Sequence, residues 1–125
     1  MEFPSPATDY VEKRLSLDDL CNTRAPSVYF FKATSSVECA GISPRSVLIV
    51  NSVLSPADGS VIIARLKGEL RLVRYRVSSV PFLEELARPE RRMPLSENEL
   101  EGEECVCFGV ITHVLNEARV LKDQF

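Results

Sequence analysis

The sequence predicts a mostly-β fold: a single compact domain with an extended N-terminal arm and at most short helices. Three observations predict it. Short runs rich in β-branched and aromatic residues recur, set off by Pro, Gly, Ser and Asp turn residues. Two of these runs face each other across Lys67-Gly68-Glu69, a hairpin signal. The 125 residues, 45% hydrophobic and 26% charged, suffice to bury roughly two thirds of the unfolded surface, so the core needs no metal or disulfide.

Each element follows from local chemistry. Pro4, Ser5 and Pro6 cannot continue a helix, and residues 1–14 read as an extended arm ahead of one domain over 15–125. Ser16 is placed to cap a short helix, Leu17-Asp18-Asp19-Leu20, with its acids in the first turn, ended by residues 22–26. Residues 27–33 (Ser-Val-Tyr-Phe-Phe-Lys-Ala) read as a strand entering the polar loop Thr34-Ser35-Ser36. Val47-Leu48-Ile49-Val50 is a continuous apolar run, as expected of a strand covered on both faces. Val61-Ile62-Ile63-Ala64 follows the Asp58-Gly59 turn, and residues 66–77 form the hairpin's return strand. Residues 81–104 contain Pro81, Pro89, Pro94 and an acidic stretch, and read as a solvated excursion anchored by Leu83, Leu86 and Leu95. Residues 105–114 give the longest strand signal, and a polar tail ends at Phe125.

The formal net charge of −3 argues against strong nucleic-acid binding by total charge, since phosphate contacts need Lys and Arg to displace counterions. No apolar run approaches the ~20 residues of a membrane span, and Met1-Glu2-Phe3-Pro4 lacks a signal peptide's basic end and apolar stretch. The cytoplasm is the expected address. Cys21, Cys39, Cys105 and Cys107 are too few and too irregular for a disulfide framework. Cys105 and Cys107 fall on the same side of an alternating strand. Structural zinc takes paired ligands at wider spacing, so they read as thiols, and neither metal nor cofactor is expected.

Five basic residues, Arg65, Lys67, Arg71, Arg74 and Arg76, lie on the hairpin. They read as a solvated strand edge, where Lys and Arg guard against mispairing. His113 reads as a satisfied core or edge histidine.

Several blocks in register resemble one known family. Phe3-Pro4-Ser5-Pro6-Ala7-Thr8-Asp9-Tyr10-Val11-Glu12-Lys13-Arg14 matches the segment just after the self-cleavage point of UmuD-type proteins. Tyr29-Phe30-Phe31-Lys32-Ala33, Gly41-Ile42-Ser43, Leu48-Ile49-Val50 and Gly59-Ser60-Val61-Ile62-Ile63-Ala64 follow in the family's order. The Gly68-Glu69 turn and Phe108-Gly109-Val110-Ile111-Thr112-His113-Val114 complete a resemblance to the UmuD and LexA family of S24 peptidases that covers most of the chain.

The resemblance implies a Ser–Lys pair, in which a desolvated lysine takes the proton from the serine hydroxyl. The serine loop, Thr34-Ser35-Ser36-Val37-Glu38-Cys39-Ala40, is one residue shorter than the family's. Ser36 takes the nucleophile's place if the gap precedes it, and Val37 if the gap follows. The lysine position falls on Val73, within Glu69-Leu70-Arg71-Leu72-Val73-Arg74. Arg74 stays protonated and cannot act as a base. Lys32 and Lys67 occupy other positions. The turns Ser43-Pro44-Arg45-Ser46 and Asp58-Gly59-Ser60 also depart from the family's acidic ones, and its cleavage site lies upstream of Met1.

The resemblance therefore implies a non-catalytic accessory protein of the bacterial SOS response. It would form a homodimer and act in translesion synthesis with a UmuC-like polymerase and the RecA filament. The strand over residues 105–114 is a candidate dimer edge. Two other readings stand: an active S24-type peptidase using Ser36 with Lys32 or Lys67, and a plasmid- or phage-borne inhibitor of RecA or the polymerase.

Overall fold

The computed structural model of the chain describes residues 15–95 and 105–119, the side chains of Cys105 and Val106 excepted. The N-terminal arm, the acidic stretch 97–104 and the last six residues lie outside the described residues, as does the expectation that the Cys105 and Cys107 thiols share a face. Among the described residues one α-helix, α1 (Leu17–Cys21), precedes seven strands. They are β1 (Val28–Lys32), β2 (Val47–Asn51), β3 (Val61–Leu66), β4 (Glu69–Arg76), β5 (Phe82–Glu85), β6 (Arg92–Pro94) and β7 (Cys105–Leu115). The strands form one antiparallel sheet in the order β1-β2-β7-β3-β4-β5-β6.

Successive residues of a strand face opposite sides, so a strand buried on both faces is apolar throughout. β2 and β3 behave in this way: Leu48, Ile49 and Val50, and Ile62, Ile63 and Ala64, are all buried. One face gathers Leu48, Val50, Ile63 and Leu86 beneath Ala33, Val37 and Ile42 of the loop after β1. The other gathers Ile62, Ala64, Leu66, Val73, Leu83 and Leu95. Helix α1 covers a smaller cluster of Cys21, Val28 and Ile49.

The β3–β4 turn is tighter than its sequence suggested. Leu66 pairs with Glu69 as the last residue of β3, not the first of the return strand, leaving a two-residue turn at Lys67-Gly68. Both turn residues have left-handed φ, 52° and 85°, the conformation whose twist matches a hairpin. Ser16 makes no capping side-chain bond. Asp18 instead accepts a hydrogen bond from the Thr23 hydroxyl and pairs with Arg24 at 3.6 Å.

Three other expectations are corrected. The excursion after Pro81 is partly sheet: β5 pairs with β4 and β6 with β5, with Leu83, Leu86 and Leu95 buried as anchors. The basic hairpin is a sheet edge only in its outer half, because β7 flanks β3 and β5 flanks β4 over Val73 to Arg76, which puts Arg74 and Arg76 but not Arg71 inside the sheet. Three of its arginines are used internally: Arg71 pairs with Glu69 at 3.2 Å, Arg74 donates to the Gly59 carbonyl at 2.9 Å, and Arg76 pairs with Glu84 at 3.0 Å. Finally, β7 is not an available dimer edge, since it lies between β2 and β3 with both sides paired. The free edges among the described strands are β1, β6 and the part of β4 before Val73 that β5 does not reach.

β7 fits there through two irregularities, where its register shifts opposite Ile49/Val50 and opposite Ile63/Ala64. Such bulges break strict alternation. Phe108, Ile111 and Val114 therefore all pack on the face of Val50 and Ile63, while Cys107 and Val110 pack on the other. Phe108 meets Tyr29 and Phe31 edge-on at centroid distances of 5.4 and 5.1 Å.

Candidate functional site: the cleft beside the serine loop

The loop after β1 is shaped by its own backbone. Val37 N–H donates to the Ile42 carbonyl at 2.8 Å and Ile42 N–H returns to Val37 at 3.1 Å. Gly41 takes the left-handed φ of 69° that this closure needs. The closure turns Val37 inward, 7% exposed, and leaves its neighbour Ser36 exposed. Downstream, Ser46 is completely buried. Its hydroxyl accepts from the Ser43 N–H at 2.8 Å and donates to the Asn116 side chain, whose amide donates to the Gly41 carbonyl at 2.9 Å. The loop is thereby tied to the residue just after β7.

Between this loop and the outer half of β4 lies a cleft of about 760 Å³. Its floor is apolar, made by Phe31, Val37, Leu48, Ile63 and Leu72. Its rim is charged, with Lys32, Arg71, Arg88 and Arg91 against Glu69 and Glu85. Arg71 pairs with Glu69 at 3.2 Å and Arg91 with Glu85 at 3.8 Å.

The residues singled out from sequence are not brought together. Thr34, Ser35 and Val37 line the cleft with Lys32, whereas Ser36, Lys67 and Val73 do not. Among the described residues no hydrogen bond joins Ser36 to either lysine, and Lys67 sits at the tip of the hairpin turn. Val73 is 2% exposed within the cluster of Ile62, Leu66 and Leu83, while its neighbour Leu72 packs on the cleft side. Val73, where the resemblance implies the family's lysine, thus packs on the opposite side from Val37 and directly opposes Glu85 on β5. A general base must lie within hydrogen-bonding reach of the proton it takes, and Val73 offers neither a base nor the direction for one.

His113 is half-buried and contacts the Thr112 hydroxyl at 2.8 Å. Burial pushes the Cys107 thiol pKa up, and a hydrogen bond from the Gly109 backbone pulls it partly back. Among the described residues, no group of three or more His, Cys, Asp or Glu is placed to hold a metal ion. Nor is any described helix long and apolar enough to cross a membrane. Sequence reasoning missed Arg88 and the Glu85–Arg91 pair, which reach the cleft only through β5 and the turn after it.

A single antiparallel sheet carrying a serine loop above its β3–β4 hairpin defines the class of scaffold. No family model matches the chain. It is 36% identical over 123 residues to Protein ImpA of Salmonella typhimurium, an alignment covering 96% of this chain and 80% of that protein. Protein SamA of Salmonella typhimurium strain LT2 is 30% identical over 94% of the chain and 79% of its own length. Protein MucA of Escherichia coli is 29% identical over 92% and 77%. The chain belongs to the UmuD family of SOS mutagenesis proteins, within the S24 group, and its general role is in SOS mutagenesis.

Proposed function

We propose that this chain is a non-catalytic UmuD-like accessory protein of the bacterial SOS response. It acts in translesion DNA synthesis, in the cytoplasm and as a homodimer, by binding a UmuC-like polymerase and the RecA filament. One observation carries the non-catalytic part. The position where the resemblance puts the family's lysine is Val73, buried in apolar contacts on the side of the sheet away from Val37. Without a base, a serine hydroxyl is an ordinary alcohol and a poor nucleophile.

Family membership supports the partners, and the intact apolar core supports retention of the scaffold after loss of the catalytic pair. The test is complementation. Co-expressed with a UmuC-like polymerase in a bacterial host lacking its own UmuD, the chain restores damage-induced mutagenesis, and Ser36→Ala restores it equally. Restoration that depends on Ser36 contradicts the reading. Suppression of mutagenesis in a UmuD-positive host identifies an inhibitor instead.

A further inference from the structure

The charge of the chain is unevenly spread. Residues 61–95 carry eight Lys and Arg against four Glu, a net +4, so the rest of the chain carries −7 and the formal total of −3 hides a basic region. The outer strands of the sheet gather that region. Arg74, Glu84 and Arg92 lie directly opposite one another across β4, β5 and β6, as do Arg76, Phe82 and Pro94. Residues opposite one another in a ladder share a face, and so do alternate residues along a strand. One face of these strands therefore holds Arg74, Arg76, Arg92 and Phe82 around a single carboxylate. Glu84 is 8% exposed and bonds Arg76 at 3.0 Å. Arg74 donates to the Gly59 carbonyl at 2.9 Å, and the Arg92 guanidinium lies 5.0 Å from the centre of the Phe82 ring. Arg88 is exposed in the adjoining turn between β5 and β6. With Arg91, its partner Glu85 and the exposed Glu90 of that turn, five arginines meet three glutamates. Among the described residues neither Arg88 nor Arg92 is paired with a carboxylate.

We propose that this face binds single-stranded nucleic acid, with phosphates on Arg88 and Arg92 and a base stacked on the outer side of the Arg92 guanidinium. A guanidinium offers in-plane N–H forks to a phosphate and its flat face to a base. Phe82 backs Arg92 on one side, and Arg92 is otherwise exposed. A strand without a complement splays its bases out to such a platform, which the paired bases of a duplex do not. An acidic peptide matches the charge but has no base to lay on Arg92. The net charge of −3 does not oppose this binding, because counterion release depends on the phosphates neutralised locally. The acidic remainder of the chain repels a polyanion and so steers it toward this face. The inference goes beyond the non-catalytic reading and does not depend on it.

The test uses the full chain and a fluorescein-labelled twelve-nucleotide thymidine strand, read by fluorescence anisotropy. Binding is expected, about sevenfold weaker at 200 mM than at 50 mM salt, the effect of two phosphate contacts on a single strand. The double variant Arg88→Gln/Arg92→Gln, checked for folding by circular dichroism, is expected to weaken binding about tenfold and to flatten its salt dependence. Arg92→Lys keeps the charge but loses the flat surface, so its binding of the thymidine strand falls to that of an abasic strand of the same length. Arg24→Gln is the control: it follows α1, which packs on β1 at the opposite edge of the sheet, and its binding equals the parent's. No binding overturns the proposal. So does binding that the double variant leaves unchanged, an equal loss in Arg24→Gln, or an abasic strand held by the parent as tightly as the thymidine strand. An octaglutamate peptide bound as tightly through the same two arginines also overturns it, in favour of an acidic protein partner.

Discussion

Gly109→Ala tests the placement of β7 inside the sheet. A Cβ at this position falls 2.8 Å from Val50 Cγ1 and 3.0 Å from both the Asn51 carbonyl oxygen and Ser52 Cα. The last two are backbone atoms of β2 and the turn after it, so no rotamer change relieves them. Val50 is completely buried, so its methyl has nowhere to go. Overpacking of this kind costs about 1–3 kcal/mol, and the two backbone contacts place the site in the upper half of that range. Replacing glycine in extended backbone returns about 0.5–1 kcal/mol by narrowing the unfolded ensemble. The net loss is then about 1–2.5 kcal/mol, a fall in Tm of roughly 3–12 °C for a domain of this size. Urea unfolding followed by circular dichroism measures it directly. A variant as stable as the parent refutes the reasoning, because a methyl on an edge strand with open space beside it would cost nothing.

Other consequences follow from the same contacts. Val73→Lys restores no peptidase activity against a full-length UmuD substrate, because the new side chain opposes Glu85 and faces away from Val37 of the serine loop; serine-dependent cleavage by this variant would refute the facing assigned to β4. Ser46→Ala leaves the Ser43 N–H and the Asn116 side chain without their shared buried partner. It lowers stability by about 1–3 kcal/mol in denaturant titration, the cost of unpaired buried polar groups. Cys107 holds its proton to higher pH in the folded chain than in the unfolded one, since burial raises its pKa. Its contribution is therefore full at neutral pH and is lost as pH rises through the elevated value. Stability measured across the alkaline range falls more steeply for the parent than for Cys107→Ser, and iodoacetamide modifies exposed Cys39 well before Cys107.

The strands legible in the sequence were those whose burial is carried by their own composition. Val47-Leu48-Ile49-Val50 and Val61-Ile62-Ile63-Ala64 are apolar on both faces because both faces are covered, and this is written in consecutive residues. β5 and β6 were not legible. Phe82-Leu83-Glu84-Glu85 looks polar until Glu84 is seen to pair with Arg76, and β6 carries Pro94, which is tolerated on an edge strand. The position of β7 was hidden for a different reason. Sheet order is non-local, and nothing in residues 105–115 says that β2 and β3 will open to admit them. The candidate site divides in the same way. Resemblance located the serine loop and Val73, but the direction of Val73 depends on the pairing of β4 with β3 and β5. The rim arginine Arg88 belongs to a turn whose place is set by β5 alone.

The central claim is that this chain keeps the family's scaffold without its chemistry. The most direct measurement incubates the purified protein with activated RecA filaments and a full-length UmuD substrate, comparing the parent with Ser36→Ala by gel and mass spectrometry. No cleavage product above background from either protein is the result predicted. A product made by the parent and absent with Ser36→Ala would contradict the claim and require a base that reaches Ser36.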